Sequence, residues 1–584
     1  KAVVSEAANG EMTSQACDSP GTKRFTPSTL LLFLWLCFVA RGCFYSALLP
    51  PWEGYDEPFH FAFIQYMAAH RDLPRVTTPV SREVQASLHL LPLSWEQRLH
   101  VMAPPFYTED SYWQLPEHSR QELQEEVRSI PLEWQSQTGT APAMYEAQQA
   151  PLYYWMMAVP LSLVSGWSLP ARVMLVRILS VLLASVFVPI AYAAAKRFFA
   201  DDAQALGIVT VIACMPELMI DISRVGNESL AIVVYSLLTL LLLLAVQRGR
   251  SQWFVAAGVV LGLGLLTKAY FVFAIPAFLL VAVYSIWRCG GERKQIVFNT
   301  AAGTGLAALI SFGWYWRNHV IMGAWSGEQD AAVAAHATLP HLIIAVRHVN
   351  WIGGVASVLI SHTWFGGWSF LKLPKLVYAV FAFGMAAALF GLLKTTLRYG
   401  LRSGHLVVLL ALYGWFWVGL LCDVLVLYIA RGVSASCGWY LYAVVLPEVL
   451  LVAWGFYSLV PERLRWAVLP AIAAIFAVID LYGTHFLLVP YYTGLIAHVP
   501  NSDVVHPATL LQLVSAGPSL VLDRLRANRP VLFGRGFLAT LVLLYYAATV
   551  LAVAIAYKAM RRTFSESLPA ELSRPGTHAA DCSR

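Results

Sequence analysis

Thirteen apolar segments, most of them long enough to cross a bilayer as a helix, occupy much of this 584-residue chain. A transmembrane helix needs about 20 mostly apolar residues, and within lipid only helices and closed barrels satisfy all their own backbone hydrogen bonds. Only 13% of the residues are charged, whereas a soluble domain carries about 25%. The sequence therefore predicts an all-α polytopic membrane protein with about 12 or 13 transmembrane helices. The segments are 28–49, 151–168, 173–195, 204–220, 229–247, 252–268, 270–288, 297–314, 376–394, 405–428, 441–459, 466–488 and 537–557.

Basic residues are concentrated in alternate connections between these segments, and this asymmetry orients the chain in the membrane. Lys23 and Arg24 place the N-terminus inside, and the basic residues that follow the last segment place the C-terminus inside. The two ends agree only if one segment does not cross, and the weakest is 151–168, which is short and contains two prolines. We predict twelve full spans and one re-entrant or interfacial segment. Thirteen spans, with one loop that breaks the charge rule, is the alternative.

Three longer and more polar stretches separate the apolar segments, and under this orientation all three lie outside. The residues after the last segment are rich in Ser, Glu, Pro and Arg, a composition typical of disorder. The predicted units are a cytoplasmic N-terminal tail at 1–27, a transmembrane module at 28–314 with the outer loop 50–150, an outer loop at 315–375, a C-terminal transmembrane region at 376–557 with the outer loop 489–536, and a disordered cytoplasmic tail at 558–584.

The sharpest local feature follows the first apolar segment and reads Pro50-Pro51-Trp52-Glu53-Gly54-Tyr55-Asp56-Glu57-Pro58-Phe59-His60-Phe61. Adjacent carboxylates near a low-dielectric medium repel each other, so one of them tends to hold a proton or to find a cation. Such a group can act as a general base toward a hydroxyl or an amine, or ligate a divalent metal. The alternative is that Asp56 caps a helix that begins near Pro58, and the two roles are compatible.

Other polar motifs lie at the ends of apolar segments on the predicted outer side. A single cation at such a position commonly extends toward the headgroups, and Asn227 with Glu228 suits a helix start. Together, Arg224, Lys268 and Arg317 could instead hold a phosphate or pyrophosphate at the interface. A further motif, from Tyr145 to Tyr154, favours an ordinary helix start with interfacial aromatic residues. The three basic motifs read Arg224-Val225-Gly226-Asn227-Glu228-Ser229, Gly262-Leu263-Gly264-Leu265-Leu266-Thr267-Lys268 and Trp314-Tyr315-Trp316-Arg317-Asn318.

In this order the motifs resemble those of the membrane glycosyltransferases of the C-type (GT-C) fold. That superfamily includes the protein O-mannosyltransferases and the aminoarabinose transferase that modifies lipid A. The resemblance covers roughly residues 28–460 and is strongest in its first third. It rests on the acidic pair Asp56-Glu57 in the first outer loop, the entry Pro151-Leu152-Tyr153-Tyr154, the acidic Glu228 at a helix start, the step from Leu265 to Lys268 and the step from Trp314 to Asn318.

The resemblance implies a polyprenyl-phosphate-linked sugar as donor, with transfer to an acceptor on the outer (periplasmic or lumenal) face. It implies a bacterial inner (plasma) membrane as the location, and a catalytic module at 28–314. Asp56 and Glu57 would be the catalytic residues, with Asp56 as the base that deprotonates the acceptor. Cations would offset the charge that grows on the leaving phosphate. The implied substrate-binding residues are His60, Arg224, Glu228, Lys268, Arg317 and Arg431.

Two positions depart from the family pattern. A late family segment often reads Gly-Arg-Tyr-Leu, whereas this chain reads Gly438-Trp439-Tyr440-Leu441. If that arginine binds donor phosphate in relatives, this chain lacks it there, and Arg431 is a nearby substitute. The second acidic position is usually Asp in the family and is Glu228 here.

No metal site is assigned, because the eight cysteines form no CxxC pair and show no Cys/His metal spacing. No cofactor is required by these residues, although a divalent cation could bind at the acidic pair. The expected partners are the lipid-linked donor, an unknown glycan, lipid or protein acceptor, and membrane lipids. Nucleic acid is not expected, because the net charge of +6 is scattered over short loops.

A transporter or flippase for a lipid-linked or anionic solute is the alternative function. It would explain the intramembrane charges Arg41, Asp423 and Asp480. It also predicts internal repeats, which we do not find in the sequence. It assigns no function to the outer loop 50–150. A non-catalytic membrane scaffold is a third reading that the sequence neither supports nor excludes.

Overall fold

The computed structural model describes residues 25–99, 104–288, 290–400 and 403–567. Within these ranges ten helices are long and apolar enough to cross a membrane, or up to twelve if each of two sharply bent helix pairs counts as one span. The architecture confirms the predicted all-α polytopic membrane fold. Most of the predicted cytoplasmic tails, including Lys23 and Arg24, lies outside the described residues.

The helices account for nearly all of the regular structure. In chain order they are α1 (Pro27–Leu48), α2 (Glu57–His70), α3 (Arg82–Leu90), α4 (Glu109–Tyr112), α5 (Glu117–Ser129), α6 (Leu152–Leu163), α7 (Leu169–Ser185), α8 (Phe187–Phe199), α9 (Asp202–Cys214), α10 (Pro216–Ile222), α11 (Glu228–Ala245), α12 (Trp253–Leu265), α13 (Ala274–Arg288), α14 (Arg293–Met322), α15 (Gln329–Ala334), α16 (Leu339–His348), α17 (Trp351–Thr363), α18 (Lys375–Tyr399), α19 (Gly404–Arg431), α20 (Val445–Leu459), α21 (Val468–Gly483), α22 (Val489–Tyr492), α23 (Leu510–Leu525) and α24 (Arg535–Ser567).

Four short strands lie in the first outer loop. Strand β1 (Pro79–Ser81) pairs antiparallel with β4 (Thr138–Ala143). Strand β2 (Pro92–Leu93) pairs in parallel with β3 (Tyr107–Thr108). Together with α2 to α5, these pairs make the loop an ordered cap on one end of the helix bundle.

The predicted segment 151–168 forms only the 12-residue helix α6, which contains Pro160. At a rise of about 1.5 Å per residue it extends about 18 Å, well short of the hydrocarbon thickness. This length fits the predicted re-entrant or interfacial segment. The predicted span 252–268 is also short, because α12 ends after 13 residues at Leu265.

The two sharp bends have local causes. Helices α9 and α10 meet at 68°, because Pro216 disfavours a helical conformation for Met215, the residue before it. Helices α16 and α17 meet at 67°, and the side chain of Asn350 starts α17 by accepting a hydrogen bond from the backbone N–H of Gly353 at 2.9 Å.

Three predicted boundaries differ from the observed elements. The boundary at 314 falls inside α14, which continues to Met322 and ends where Gly323 adopts a φ of 75°. The predicted outer loop 315–375 contains the helices α15 to α17. The predicted disordered tail 558–584 begins inside α24, because no glycine or proline interrupts the sequence from 537 to 568.

Two of the intramembrane charges noted in the sequence form one buried ion pair. Arg41 on α1 donates to a carboxylate oxygen of Asp480 on α21 at 2.8 Å, and both side chains are fully buried. Tyr545 on α24 donates to the same oxygen at 2.7 Å. These contacts join three helices of the bundle, so the pair has a structural role that does not require transport.

Candidate active site

The polar turn between α1 and α2 holds Asp56 in an uncommon backbone conformation. Trp52 and Asp56 have positive φ angles of 69° and 51°, although neither is glycine. Such conformations persist where surrounding contacts enforce them, often at functional sites. Asp56 occupies the N-cap position of α2 but makes no capping hydrogen bond. Its carboxylate instead accepts a hydrogen bond from the Tyr145 hydroxyl, so the capping role considered from the sequence is not the one the side chain takes.

Glu57, the next residue, is fully buried and fully hydrogen-bonded. Its carboxylate accepts hydrogen bonds from Arg177 Nε at 2.7 Å and from Arg177 Nη2 at 2.5 Å. The backbone N–H groups of Trp52 and Val225 each donate to it at 3.0 Å. Each carboxylate oxygen therefore has two partners, which suits a residue that fixes the turn.

Arg177 explains how the turn keeps its shape. Besides binding Glu57, its guanidinium donates to the carbonyl oxygens of Leu49 and Pro50, both at 2.7 Å. A guanidinium presents five N–H donors in a rigid fork, so one side chain can fix several acceptors at once. The buried ion pair thereby clamps the end of α1 to the start of α2 and determines where Asp56 lies.

Two cations and two carboxylates form a buried cluster where α10 and α12 end and α11 begins. Arg224 Nη2 lies 2.9 Å from a carboxylate oxygen of Asp221 and 2.7 Å from one of Glu228. Lys268 forms an ion pair with the other oxygen of Glu228. Arg224 also donates to the backbone carbonyl of Tyr55 at 3.0 Å, which connects this cluster to the residue before Asp56.

Glu146 adds a third carboxyl group to the same site. One of its oxygens lies 3.8 Å from His60 Nδ1, is buried and has no hydrogen-bond partner. His60 Nδ1 is 2.7 Å from the hydroxyl of Tyr154. Because the Tyr145 hydroxyl donates to Asp56, the segment that carries Glu146 is bound directly to the turn that carries Asp56.

Burial and mutual repulsion shift the proton affinities of this cluster. Burial, with repulsion from Glu146, raises the pKa of Asp56 well above its usual range. Burial raises the pKa of Glu146 to about 7, although Lys268 opposes that change. Burial and the nearby Arg224 lower the pKa of Lys268 to about 8. Burial also lowers the pKa of His60 well below its usual value, with Arg224 and Lys268 contributing.

Aromatic side chains form one wall of the cluster. The Lys268 ammonium lies 4.8 Å from the ring centre of Tyr440 and 5.5 Å from that of Tyr270, distances at which a cation interacts favourably with a ring face. Trp439, which stands where relatives often have arginine, stacks on Tyr55 with ring centres 4.0 Å apart. The departure at this position therefore puts a stacking surface next to Asp56 in place of a charge.

Two predicted donor-binding cations form contacts elsewhere. Arg317 donates to the backbone carbonyl of Pro74 at 3.0 Å and lies over the ring of Trp314 at 4.9 Å. Arg431 forms an ion pair with Asp330 at 2.9 Å, and its side chain is 59% exposed. Of the residues predicted for the site, the structure brings together Asp56, His60, Arg224, Glu228 and Lys268, and it places Glu57, Arg317 and Arg431 outside this group.

Three acidic residues of this region were not among the predicted site residues. Glu146 lies in a motif that taken alone favours a helix start, and Glu217 and Asp221 lie at the end of an apolar segment. A carboxylate in such a segment is itself a functional signal. Glu217 accepts hydrogen bonds from the Tyr55 hydroxyl at 2.5 Å and from the backbone N–H of Phe365 at 2.7 Å.

The chemistry available at this site follows from its groups. Asp56 is partly exposed, has a raised proton affinity and lies in a cluster that contains a lysine and an arginine. Such a carboxylate can accept a proton from an incoming hydroxyl or amine, while the cations stabilise a developing anion. Among the described residues, no group of three or more His, Cys, Asp or Glu side chains is arranged to hold a metal ion.

Comparisons with known proteins give one family and several solved structures. Residues 148–316 match the family model described as dolichyl-phosphate-mannose-protein mannosyltransferase. No curated protein matches the chain significantly. ArnT from Cupriavidus metallidurans, bound to undecaprenyl phosphate, is 14% identical with a TM-score of 0.45, over 93% of this chain and 76% of ArnT. The oligosaccharyltransferase of Archaeoglobus fulgidus is 13% identical with a TM-score of 0.42, over 92% of this chain and 56% of that one.

The family match begins at Gln148, just after Glu146, and includes Arg224, Glu228 and Lys268. It supports glycosyltransferase activity in general for this chain. The match ends at residue 316, at the last of the motifs noted in the sequence. Over residues 148–316, the resemblance to the membrane glycosyltransferases of the C-type fold is confirmed.

Proposed function

We propose that this protein is a membrane glycosyltransferase that transfers a sugar from a polyprenyl-phosphate-linked donor to an acceptor on the outer face of the membrane. The observation that carries the proposal is that the partly exposed Asp56 lies beside a buried cluster that contains two cations. Arg224 in that cluster donates to the carbonyl of Tyr55, and Lys268 is paired with the same Glu228 as Arg224. A dolichyl phosphate sugar, named in the matching family description, belongs to this donor class.

Asp56 is the proposed general base. In the transfer step the acceptor hydroxyl or amine gives its proton to Asp56 and forms a bond to the anomeric carbon. The bond between that carbon and the phosphate oxygen breaks, which releases the polyprenyl phosphate. A carboxyl group with a raised proton affinity suits this step, because general bases work best when their pKa lies near the working pH.

Lys268 and Arg224 are the proposed phosphate-binding groups. Both are paired with Glu228, and a phosphate would compete with that carboxylate for the same N–H donors. Charge that develops on the leaving phosphate would strengthen these contacts in the transition state. Glu57 is proposed to act indirectly, by holding the turn that presents Asp56.

The outward orientation is supported by the start of α9, which lies at the other end of the bent helix pair α9–α10 from Asp221. A cavity of about 560 Å³ there is lined by Lys394, Arg398 and Arg465 together with Gln204. Gln204 is near the start of α9, and Asp221 at the end of α10 belongs to the acidic cluster. Because basic residues mark the cytoplasmic side, the cluster faces outward, and we propose the bacterial inner membrane as its location.

The test is a transfer assay with the purified protein in liposomes. A panel of undecaprenyl phosphate sugars, labelled in the sugar, serves as donor, and a detergent extract of membranes supplies acceptors. For Asp56→Asn we expect a loss of about 100-fold or more in transfer, since general base catalysis is worth roughly 100-fold to 10,000-fold.

The matched control is Asp503→Asn, the same change at an exposed outer-loop residue whose carboxylate accepts a hydrogen bond from Trp95 at 3.1 Å. This variant should transfer at the rate of the unaltered protein. Near-normal transfer by Asp56→Asn would remove Asp56 as the base. Movement of intact labelled donor across the bilayer without transfer would favour the transporter alternative.

A further inference from the structure

An apolar groove lies between the helices α9, α17, α18, α20 and α21, apart from the cluster around Asp56. It encloses about 410 Å³. Val380 and Ile475 on its border are 56% and 49% exposed, so it opens sideways toward the lipid. It follows α20 from Glu448 to Phe456, nine residues whose ends are about 12 Å apart along the helix. Its shape suits a hydrocarbon chain.

One polar pair interrupts this apolar lining. His362 at the end of α17 and Glu448 in the first turn of α20 face each other, with Nε2 and Oε1 3.0 Å apart. The two residues are only 7% and 4% exposed. The remaining polar atoms, His362 Nδ1 and Glu448 Oε2, are buried and lack hydrogen-bond partners. An unpaired buried polar atom is costly, and such atoms commonly indicate a bound partner.

The polar pair lies at the same end of the bundle as Asp56. The loop that follows His362 donates to Glu217 through the N–H of Phe365 at 2.7 Å. Glu217 in turn accepts from the hydroxyl of Tyr55 at 2.5 Å. The groove therefore has its polar group near the proposed outer interface, and its apolar walls extend toward the membrane interior.

We infer that this groove binds a lipid of the outer leaflet that has a hydroxyl or amide group at the root of its hydrocarbon chain. Because His362 Nε2 donates to Glu448 Oε1, the free Nδ1 is an acceptor. Hydroxyl and amide N–H groups of such a lipid can therefore donate to His362 Nδ1 and to Glu448 Oε2. An anionic phosphate would instead meet a carboxylate oxygen in a low-dielectric setting, where like charges repel strongly. The groove is therefore distinct in its chemistry from the cation-containing cluster at Asp56.

The apolar part of the groove provides a variant that blocks it. A Cβ atom added at Gly384 would be 4.0 Å from the ring of Phe456, in ordinary contact. The substitution Gly384→Leu should therefore fill the groove without disturbing the backbone. Gly305→Leu is the matched control, because Gly305 on α14 is exposed and has open space around it.

The test uses the full chain in phosphatidylcholine nanodiscs that contain a diazirine-labelled ceramide, a neutral lipid with hydroxyl and amide groups. After illumination, peptide mapping should find cross-links on α18 and α20. We expect Gly384→Leu to reduce them about tenfold, and Glu448→Gln, which replaces an acceptor by a donor, about threefold to tenfold. Gly305→Leu should label like the unaltered protein.

Two outcomes would overturn the inference. Equal labelling of Gly384→Leu and the unaltered protein would show that the ceramide binds elsewhere. Displacement of the ceramide by undecaprenyl phosphate, with cross-links from a diazirine-labelled form of that lipid in the same peptides, would show that the groove accepts anionic chains. Asp56→Asn should keep its labelling, so the result does not depend on whether transfer occurs.

Discussion

Asp56 and Glu57 are neighbours in the sequence, but they belong to two differently built regions. Glu57 and Arg177 form a buried pair in which each carboxylate oxygen has two hydrogen-bond partners. Asp56 accepts one hydrogen bond from Tyr145, remains partly exposed and faces repulsion from Glu146. In the first region the charges hold the backbone in place. The second contains a carboxyl group that can exchange its proton.

The difference shows how a low-dielectric site separates two similar side chains. A carboxylate whose two oxygens are both occupied by fixed donors, as in Glu57, has no free position at which a substrate could donate a proton. A carboxyl group beside another carboxyl group holds its proton more tightly, and it can take one from a substrate when nearby cations favour ionisation. Substitutions that exchange these conditions are the most direct way to test the comparison.

The largest contrast is expected between Asp56→Asn and Glu57→Gln. Asp56→Asn should abolish transfer while thermal stability in detergent changes little. Glu57→Gln leaves the buried Arg177 charge without its partner, which costs about 3 to 5 kcal/mol. Glu57→Gln should therefore lower the thermal midpoint strongly, while the transfer rate per folded molecule should fall much less than in Asp56→Asn, because the base itself remains.

The double variant Glu57→Gln with Arg177→Met separates charge from shape. Removing both partners avoids an unpaired buried charge, so the double variant should be less destabilised than the sum of its two single variants. A stable Glu57→Gln protein with no transfer activity would place Glu57 among the catalytic residues and would erase the contrast between the two regions.

The next effect concerns the pH dependence of transfer. The base must be deprotonated, so the rate should rise with pH through the titration of the coupled carboxyl groups, of which Glu146 has a pKa of about 7. Lys268 has a pKa of about 8, so its charge, and with it the rate, falls about tenfold per pH unit above that value. The profile should therefore be bell-shaped with its maximum between pH 7 and 8.

Lys268→Arg tests the falling limb of this profile. An arginine keeps its charge over the whole range, so at pH 9 the variant should retain most of its own maximal rate while the unaltered protein has lost about tenfold. An unchanged falling limb in Lys268→Arg would assign that titration to another group. Donor KM, measured at pH 7.5 and pH 9, should rise with pH only in the unaltered protein.

Much of the fold could be predicted, because the length of apolar runs and the positions of basic residues are properties of the sequence itself. Asp56, Glu228 and Lys268 stood out in the sequence because each lies at or near the end of an apolar segment, and as catalytic or donor-binding residues they stay predictions. The contact between Asp56 and Tyr145 joins residues 89 positions apart, and no local pattern predicts it. For that reason Glu146 was not among the predicted site residues.

The sequence alone could not separate Asp56 from Glu57, since successive side chains at a helix start leave the axis about 100° apart. The sequence also could not show which of the cations lies close to Asp56. Arg317 and Lys268 both lie near the ends of predicted apolar segments, but only Lys268, in the break after α12, reaches Glu228, whereas Arg317 on α14 contacts Pro74. The depth of a residue in the membrane can be predicted from the sequence. The direction in which its side chain points depends on how the neighbouring helices pack.

A smaller effect is expected for Glu146→Gln, which removes the charge that opposes ionisation of Asp56. The pKa of Asp56 should fall, so the rising limb of the pH profile should move to lower pH. The weaker base should reduce the maximal rate about threefold, as Brønsted behaviour predicts.

Glu109→Gln is the control for this shift. Glu109 is another buried outer-loop carboxyl group, with a pKa raised to about 8 by burial, and it accepts a hydrogen bond from Trp113 at 2.7 Å. It lies outside the cluster, so its substitution should leave the rising limb in place. If both variants moved the rising limb of the pH profile equally, that limb would reflect the charge of the whole outer loop and not the interaction between Asp56 and Glu146.

The smallest effects are expected for Arg317→Ala and Arg431→Ala. Arg431 forms an exposed ion pair with Asp330 and Arg317 binds a backbone carbonyl, and exposed pairs contribute little, at most about 1 kcal/mol. Donor KM should change less than about threefold in either variant, whereas Lys268→Ala should raise it tenfold or more, as loss of a buried charge-assisted contact does. A tenfold rise of donor KM in Arg431→Ala would mean that the phosphate site includes this exposed cation. Burial would then not distinguish the cations that bind the donor from those that do not.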